Sequence, residues 1–186
     1  MSKILYLHGF ASCGKGNKSK ALIEYFGEEE ICSPNLPYAP AKAIEYLYDL
    51  IQTENIKLLI GSSLGGFYAT YFAEKFGLSA ILLNPSVMPW KTLASYVGWQ
   101  KRFCDGEAFE FKEGYLRELE DLRAVPQNGN YLVLLQSEDE ILDYRIAKEY
   151  YSDHRVIVEY GGNHRFENIM DYLSMIERFR RIDEHY

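Results

Sequence analysis

The most constraining feature of this 186-residue chain is a rhythm: short apolar runs alternate with segments whose apolar residues recur at helical spacing. Ile4–Leu7, Glu30–Ser33, Ile56–Ile60, Ser79–Leu83, Tyr131–Gln136 and Val156–Tyr160 read as strands. Between them, Ser19–Phe26 gathers Leu22, Tyr25 and Phe26 on one face. Ala41–Glu54 sets Ile44, Leu47, Tyr48 and Ile51 at i, i+3, i+4 and i+7. Leu64–Phe76 reads as a helix with Gly77 as its stop. Tyr144–Tyr151 follows, and a last helix carries Ile169, Tyr172, Leu173 and Ile176. Strands alternating with helices imply right-handed crossovers and a parallel sheet covered on both faces. The expectation is a three-layer α/β fold of about six parallel strands.

The rhythm breaks once. Residues 86–125 show no strand pattern and carry Trp90, Tyr96, Trp99, Phe103, Phe109, Phe111 and Tyr115 among charged residues. They are expected to form a small helical lid, inserted in a single domain spanning 1–186. The length suits one domain, and no internal repeat or linker-like tract interrupts it.

Charge and cysteine usage exclude several classes. A net charge of −7 argues against a nucleic-acid or anionic-membrane surface. The one basic cluster, Lys15, Lys18 and Lys20, reads as a solvated loop and helix start. Cys13, Cys32 and Cys104 are odd in number and form no C-x-x-C pair, so neither a disulfide framework nor a zinc site is expected. Reduced thiols in a cytoplasmic protein fit best. The longest apolar run, Tyr131–Leu135, is far shorter than a membrane span. The apolar stretch before His8 is too short for a signal peptide.

In parallel sheets, ligands bind beyond the carboxyl ends of the strands. The loop after the third strand reads Gly61-Ser62-Ser63-Leu64-Gly65, a G-x-S-x-G pattern between a buried strand and a helix. Such a turn lifts the Ser63 hydroxyl off the sheet and sets it at a helix N-terminus. The alternative is a serine that merely caps the helix. A serine hydroxyl needs a base. Of four histidines, His185 is terminal and His154 precedes a strand. His8 reads as orienting its own loop. His164, in Gly161-Gly162-Asn163-His164 after the last strand, is placed to reach Ser63. The acid that fixes its tautomer should come from Glu138, Asp139, Glu140 or Asp143. Asp143 reads as a helix N-cap and Asp139 is preferred. The order Ser63, Asp139, His164 is that of α/β-hydrolases. Backbone N–H groups of Leu64 and Phe10 are the expected oxyanion donors. The near phosphate-loop Gly9–Gly16 lacks the hydroxyl residue after Lys15 that would hold Mg²⁺.

Taken together, Leu-Tyr-Leu-His8-Gly9-Phe10, the Ser63 elbow, Leu83-Asn84-Pro85, Asp139-Glu140-x-Leu142-Asp143-Tyr144 and Gly161-Gly162-x-His164-x-Phe166 resemble the small bacterial YqiA-type esterases of the α/β-hydrolase superfamily. The resemblance runs from the first strand to the last helix. It implies carboxyl-ester hydrolysis of small acyl esters without cofactor or metal, with Ser63, Asp139 and His164 as the triad. The family pattern favours Asp where this chain has Asn163, which puts the support of His164 in question. Trp90 and Trp99 are expected to line an acyl pocket or to pack the lid onto the body. An acyl-CoA thioesterase, an acyltransferase or a non-catalytic binding module of the same fold stays open, as does a monomer or weak dimer. Activity should fall below about pH 6.5, near the ordinary histidine value.

Overall fold

The computed structural model describes residues 3–183, so His185 lies outside the described residues. Six strands form one sheet: β1 (Lys3–Leu7), β2 (Ile31–Cys32), β3 (Ile56–Ser62), β4 (Ser79–Leu83), and, after the insertion, β7 (Asn130–Gln136) and β8 (Arg155–Glu159). Their spatial order is β2-β1-β3-β4-β7-β8, and every neighbouring pair is parallel. The three-layer α/β expectation therefore holds, strand count included.

The two-residue period of the strands sorts the core into two layers. Ile4, Tyr6, Leu58, Ile60, Ile81, Leu83, Leu132 and Leu134 point to one face. There they meet α1 (Asn17–Phe26) through Ala21 and Leu22, and α7 (Leu173–Asp183) through Leu173, Ile176 and Phe179. Leu5, Leu7, Leu59, Ala80, Leu82, Val133 and Leu135 point to the other face. That face is covered by α2 (Pro40–Thr53), α3 (Leu64–Phe76) and α6 (Tyr144–Tyr150). Strands apolar on both faces need helices on both, which is why these runs show no polar alternation. Tyr25 and Tyr48, which helical spacing placed on buried faces, lie 44% and 40% exposed. The Tyr25 hydroxyl donates to Glu177 Oε2 of α7 at 2.8 Å, and the Tyr48 ring faces the Lys75 ammonium at 5.4 Å.

From β1 the chain moves outward to β2 and then returns to the other side of β1 for β3. The crevice between the carboxyl ends of β1 and β3 is thus the topological switch point. A Cβ built on Gly9, just past β1, would stand 3.3 Å from Cβ of Ser63, just past β3.

The insertion differs from the expected all-helical segment. After α4 (Pro89–Thr92) and a 3-10 turn at Ala94–Tyr96 come two antiparallel strands, β5 (Gly98–Lys101) and β6 (Ala108–Phe111), then α5 (Gly114–Asp121). In β6, Phe109 and Phe111 are buried while Ala108 and Glu110 face out. That alternation is visible in the sequence but spans only four residues.

The hairpin is fastened to the loop that follows β1. Phe10 meets the rings of Tyr96, Phe109 and Phe111 edge-on at 5.5, 5.7 and 5.1 Å. The Phe103 N–H donates to Ala11 O at 2.8 Å. Contrary to the expected reduced thiols, Cys13 and Cys104 are joined in a disulfide, their Cα atoms 6.3 Å apart, while Cys32 is free. The partners stand 91 residues apart in sequence, so only the folding-back of the hairpin turn brings them together. Arg102 closes that turn by pairing with Asp105 and Glu107. Among the described residues, no helix is long and apolar enough to cross a membrane.

Candidate active site

Ser63 sits between the last residue of β3 and the first of α3 with φ 54° and ψ −119°. A non-glycine residue in this region is strained and persists only where its surroundings fix it. Here they do: Ser63 N–H donates to Leu83 O at 3.1 Å, and Ser63 O accepts from Gly66 N–H at 2.9 Å and Ser86 N–H at 3.0 Å. The flanking glycines are a packing requirement. A Cβ at Gly61 would run into the Gly65 carbonyl, and one at Gly65 into the Leu7 carbonyl. The Ser63 hydroxyl makes no capping bond to α3, which removes the helix-cap alternative.

The hydroxyl meets His164 instead: Ser63 Oγ lies 3.0 Å from His164 Nε2. On the other side of the ring, His164 Nδ1 lies 2.8 and 3.0 Å from the two Asp139 oxygens. Asp139 Oδ1 also accepts from Ile141 N–H at 2.9 Å and Leu142 N–H at 2.8 Å. Asp139 Oδ1 is thus pinned by two backbone donors while it faces the ring. With Nδ1 donating to that carboxylate, Nε2 is left as an acceptor for the serine hydroxyl. The Asp139 side chain is 2% exposed and that of His164 19%, so the line of bonds is shielded yet open at one end. Asp143 is elsewhere engaged: it caps α6 by accepting from Arg145 N–H at 3.0 Å and pairs with the Arg145 guanidinium.

Three positioning residues escaped the sequence reading. Glu140 Oε2 accepts the His164 backbone N–H at 2.9 Å, and that bond holds the Glu140 carboxyl below its ordinary value. Asn84, buried at the end of β4, donates from Nδ2 to Asn163 O at 3.0 Å and accepts Gln136 N–H on Oδ1 at 2.8 Å. Gln136 Oε1 accepts Asn163 N–H at 2.9 Å. The available signal was an amide side chain closing an otherwise apolar strand, at both Asn84 and Gln136. Asn163 itself turns locally: Oδ1 accepts Arg165 N–H at 3.0 Å and Nδ2 donates to Glu167 at 3.1 Å. Support of His164 therefore comes from the strand-end amides rather than from the Asn163 side chain.

His8 is buried, with Nδ1 2.8 Å from Gly9 O and Nε2 accepting Leu36 N–H at 3.0 Å. Both contacts are satisfied only by a neutral ring with its proton on Nδ1. Burial pushes the His8 pKa down in the same direction. The ring thus holds the Gly9 carbonyl and, through that peptide, the orientation of the Phe10 N–H. The latter makes no backbone hydrogen bond among the described residues. Leu64, as first residue of α3, has no helical acceptor for its own N–H. Leu64 N–H follows Ser63 directly at the positive end of the α3 dipole, and Phe10 N–H follows Gly9, the residue that approaches Ser63.

A cavity of about 30 Å³ adjoins these donors, lined by Phe10, Leu36, Tyr38, Leu64, Tyr68 and Phe109 among others. Trp90 and Trp99 do not line it. Trp99 is 74% exposed. Trp90 packs against Phe67 at 6.2 Å and borders a separate open groove with Glu113 and Arg117. Among the described residues, the only cluster compact enough to suggest a metal is Cys13, Cys104 and Asp105. Its sulfurs are bonded to each other and its carboxylate pairs with Arg102, so it has no donor set to offer.

Comparison with known proteins agrees with this architecture. A UPF0227 protein of Vibrio parahaemolyticus is 26% identical over 185 residues, covering 95% of this chain and 98% of the relative. Mouse alpha/beta hydrolase domain-containing protein 10 superposes with a TM-score of 0.70 at 16% identity, covering 99% of this chain and 90% of that one. The monoacylglycerol lipase of Paleococcus ferrophilus superposes with a TM-score of 0.67 at 15% identity, covering 97% and 92%. These likenesses establish an α/β-hydrolase fold. The profile of Uncharacterised protein family (UPF0227) matches residues 3–181, and the chain belongs to that family.

Proposed function

We propose that this protein is a serine carboxyl-ester hydrolase acting on small acyl esters. The reading rests on one observation: the 3.0 Å and 2.8 Å contacts that join Ser63 Oγ, His164 and the Asp139 carboxylate into a line beside two free backbone N–H groups. A lipase and an α/β-hydrolase among its structural neighbours are consistent with that chemistry.

Ser63 Oγ attacks the ester carbonyl carbon as its proton passes to His164 Nε2. The N–H groups of Phe10 and Leu64 hold the oxyanion, an interaction worth on the order of 10²–10³ in rate per donor. Asp139 keeps the His164 proton on Nδ1 and stabilises the imidazolium. His164 then protonates the departing alkoxide, leaving the acyl group on Ser63. Water, deprotonated by His164, attacks the acyl-enzyme and returns the serine. Every proton and electron pair is accounted for without a metal or cofactor. Residues 86–125 act as the lid of a single domain, seated over the oxyanion loop, and the partner is a small-molecule ester rather than nucleic acid.

Ser63→Ala should lower turnover of p-nitrophenyl acetate by on the order of 10³-fold or more while the melting temperature stays near that of the wild type. Retained turnover in the folded variant would overturn the assignment.

A further inference from the structure

The loop that carries His164 rests on the Gln136 amide, and that amide has one orientation open to it. Gln136, at the end of β7, is 1% exposed. Its Oε1 accepts the Asn163 N–H at 2.9 Å, while Nε2 donates to Glu159 Oε2 and to Asn168 Oδ1, both at 2.7 Å. Turned over, the amide would set Nε2 against the Asn163 N–H and Oε1 against two acceptors. Asn168 is oriented in the same way, because its Nδ2 donates to Glu159 at 3.0 and 3.2 Å. An ionised carboxylate has no donor to offer. Glu159, at the end of β8, therefore decides which end of Gln136 faces the His164 loop.

The loop in turn follows Gln136 closely. A Cβ at Gly162 would fall 2.2 Å from Gln136 Cδ, and Gly162 has φ 76°. Glycine alone lets the backbone lie against the amide there.

Among the described residues, Glu159 is held by neutral donors: Gln136 Nε2, Asn168 Nδ2 and the Tyr172 hydroxyl, the last at 2.9 Å. Burial alone would raise its pKa, but these bonds outweigh burial and keep the carboxyl below its ordinary value. Glu74 is the contrasting case. It accepts the N–H groups of Gln127, Asn128 and Gly129 and the Tyr131 hydroxyl, and so fastens α3 to the amino end of β7, away from the carboxyl edge that holds Ser63.

We propose that Glu159 is a positioning residue for the His164 imidazole, acting through the Gln136 amide. The inference rests on the assignment of His164 as the base for Ser63.

The test is kcat and KM for p-nitrophenyl acetate, with melting temperatures, in Glu159→Ala, Gln136→Ala and the double variant, with Ser63→Ala and Glu74→Gln run alongside. A loop displaced by a fraction of an ångström misplaces the base, so Glu159→Ala should lower kcat about tenfold with KM little changed. Gln136→Ala should lower kcat by a similar factor. The double variant should fall no further, because both changes release the same bond. Glu159→Gln, which keeps an acceptor within reach of Gln136, should recover most of the loss. Glu74→Gln should lower the melting temperature and leave kcat alone. Should Glu159→Ala fail to fold, Glu159→Asp, which withdraws the acceptor by one methylene, takes its place in the cycle. An unchanged kcat in the folded variant, a loss carried by KM, or losses that multiply in the double variant overturn the proposal, as does a Glu159→Gln no more active than Glu159→Ala. Turnover that persists in Ser63→Ala overturns the triad reading beneath it; turnover lost there but kept in full by Glu159→Ala overturns this proposal alone.

Discussion

The carboxyl edge of the sheet and the 86–125 insertion meet over the same crevice, yet they are held in place by different physics. At the sheet edge, each candidate group is fixed by its own strand end and a few short hydrogen bonds. Ser63 is wedged between β3 and α3, Asp139 is gripped by Ile141 and Leu142 N–H groups, and His164 hangs from Asn84, Gln136 and Glu140. Within the insertion, local bonds such as those of Arg102 to Asp105 and Glu107 shape the hairpin turn but do not seat it on the body. Its hairpin is set by side chains from elsewhere: Phe10 among three rings, Tyr38 against Phe109, and Cys104 bonded to Cys13. The candidate site is thus held where the backbone is over-determined, and the insertion where side-chain packing decides.

That division implies that substitutions at the edge should strike turnover, and substitutions in the insertion should strike stability. The largest effect is expected at Asp139. Asp139→Asn should reduce kcat on the order of 10³–10⁴-fold. Asp143→Asn should change kcat little and cost about 1 kcal/mol or less of stability, since that residue only caps α6 and pairs with Arg145. Steady-state kinetics on the two variants settles the choice. A greater loss from Asp143→Asn would reverse the assignment of the acid.

Next is the fastening of the hairpin. Cys13→Ser should lower unfolding free energy by about 2–4 kcal/mol, because the bond closes a long loop. Chemical denaturation with and without a thiol reductant measures this. Equal stability of oxidised and reduced protein would show that aromatic packing alone seats the hairpin.

A smaller effect concerns His8. Burial lowers its folded-state pKa below the ordinary value of about 6.5, so the unfolded chain binds a proton that the folded chain refuses. Its contribution to stability is whole above about pH 6.5 and is lost as pH falls from there toward the folded-state pKa. The melting temperature of the wild type should therefore drop between about pH 7 and pH 5 more steeply than that of His8→Asn. Parallel slopes would mean that the imidazole is not held neutral.

The same contrast explains what was legible in the sequence. Strands of the body stand out as unbroken apolar runs and its helices by a 3.6-residue period, so six strands and the two-sided core could be read off directly. Ser63, Asp139 and His164 were legible because each sits where a strand ends and a loop of restricted chemistry begins. The hairpin was not, because a four-residue alternation at Ala108–Phe111 is too short to stand out among charged neighbours. The Cys13–Cys104 pairing was invisible for a simpler reason: a separation of 91 residues carries no local signal. Trp90 and Trp99 carried two readings, lining of an acyl pocket or packing of the lid onto the body, which residue type alone does not separate. Large aromatic side chains suggest a pocket, but Trp99 faces solvent and Trp90 packs on Phe67.

The central claim is that Ser63 is a nucleophile activated through His164 by Asp139. The most direct measurement is covalent labelling by a fluorophosphonate, mapped by peptide mass spectrometry. The expected result is a single adduct on the peptide carrying Ser63, absent in Ser63→Ala and strongly slowed in Asp139→Asn. A folded wild-type protein that takes no label, or takes it on another residue, would contradict the account.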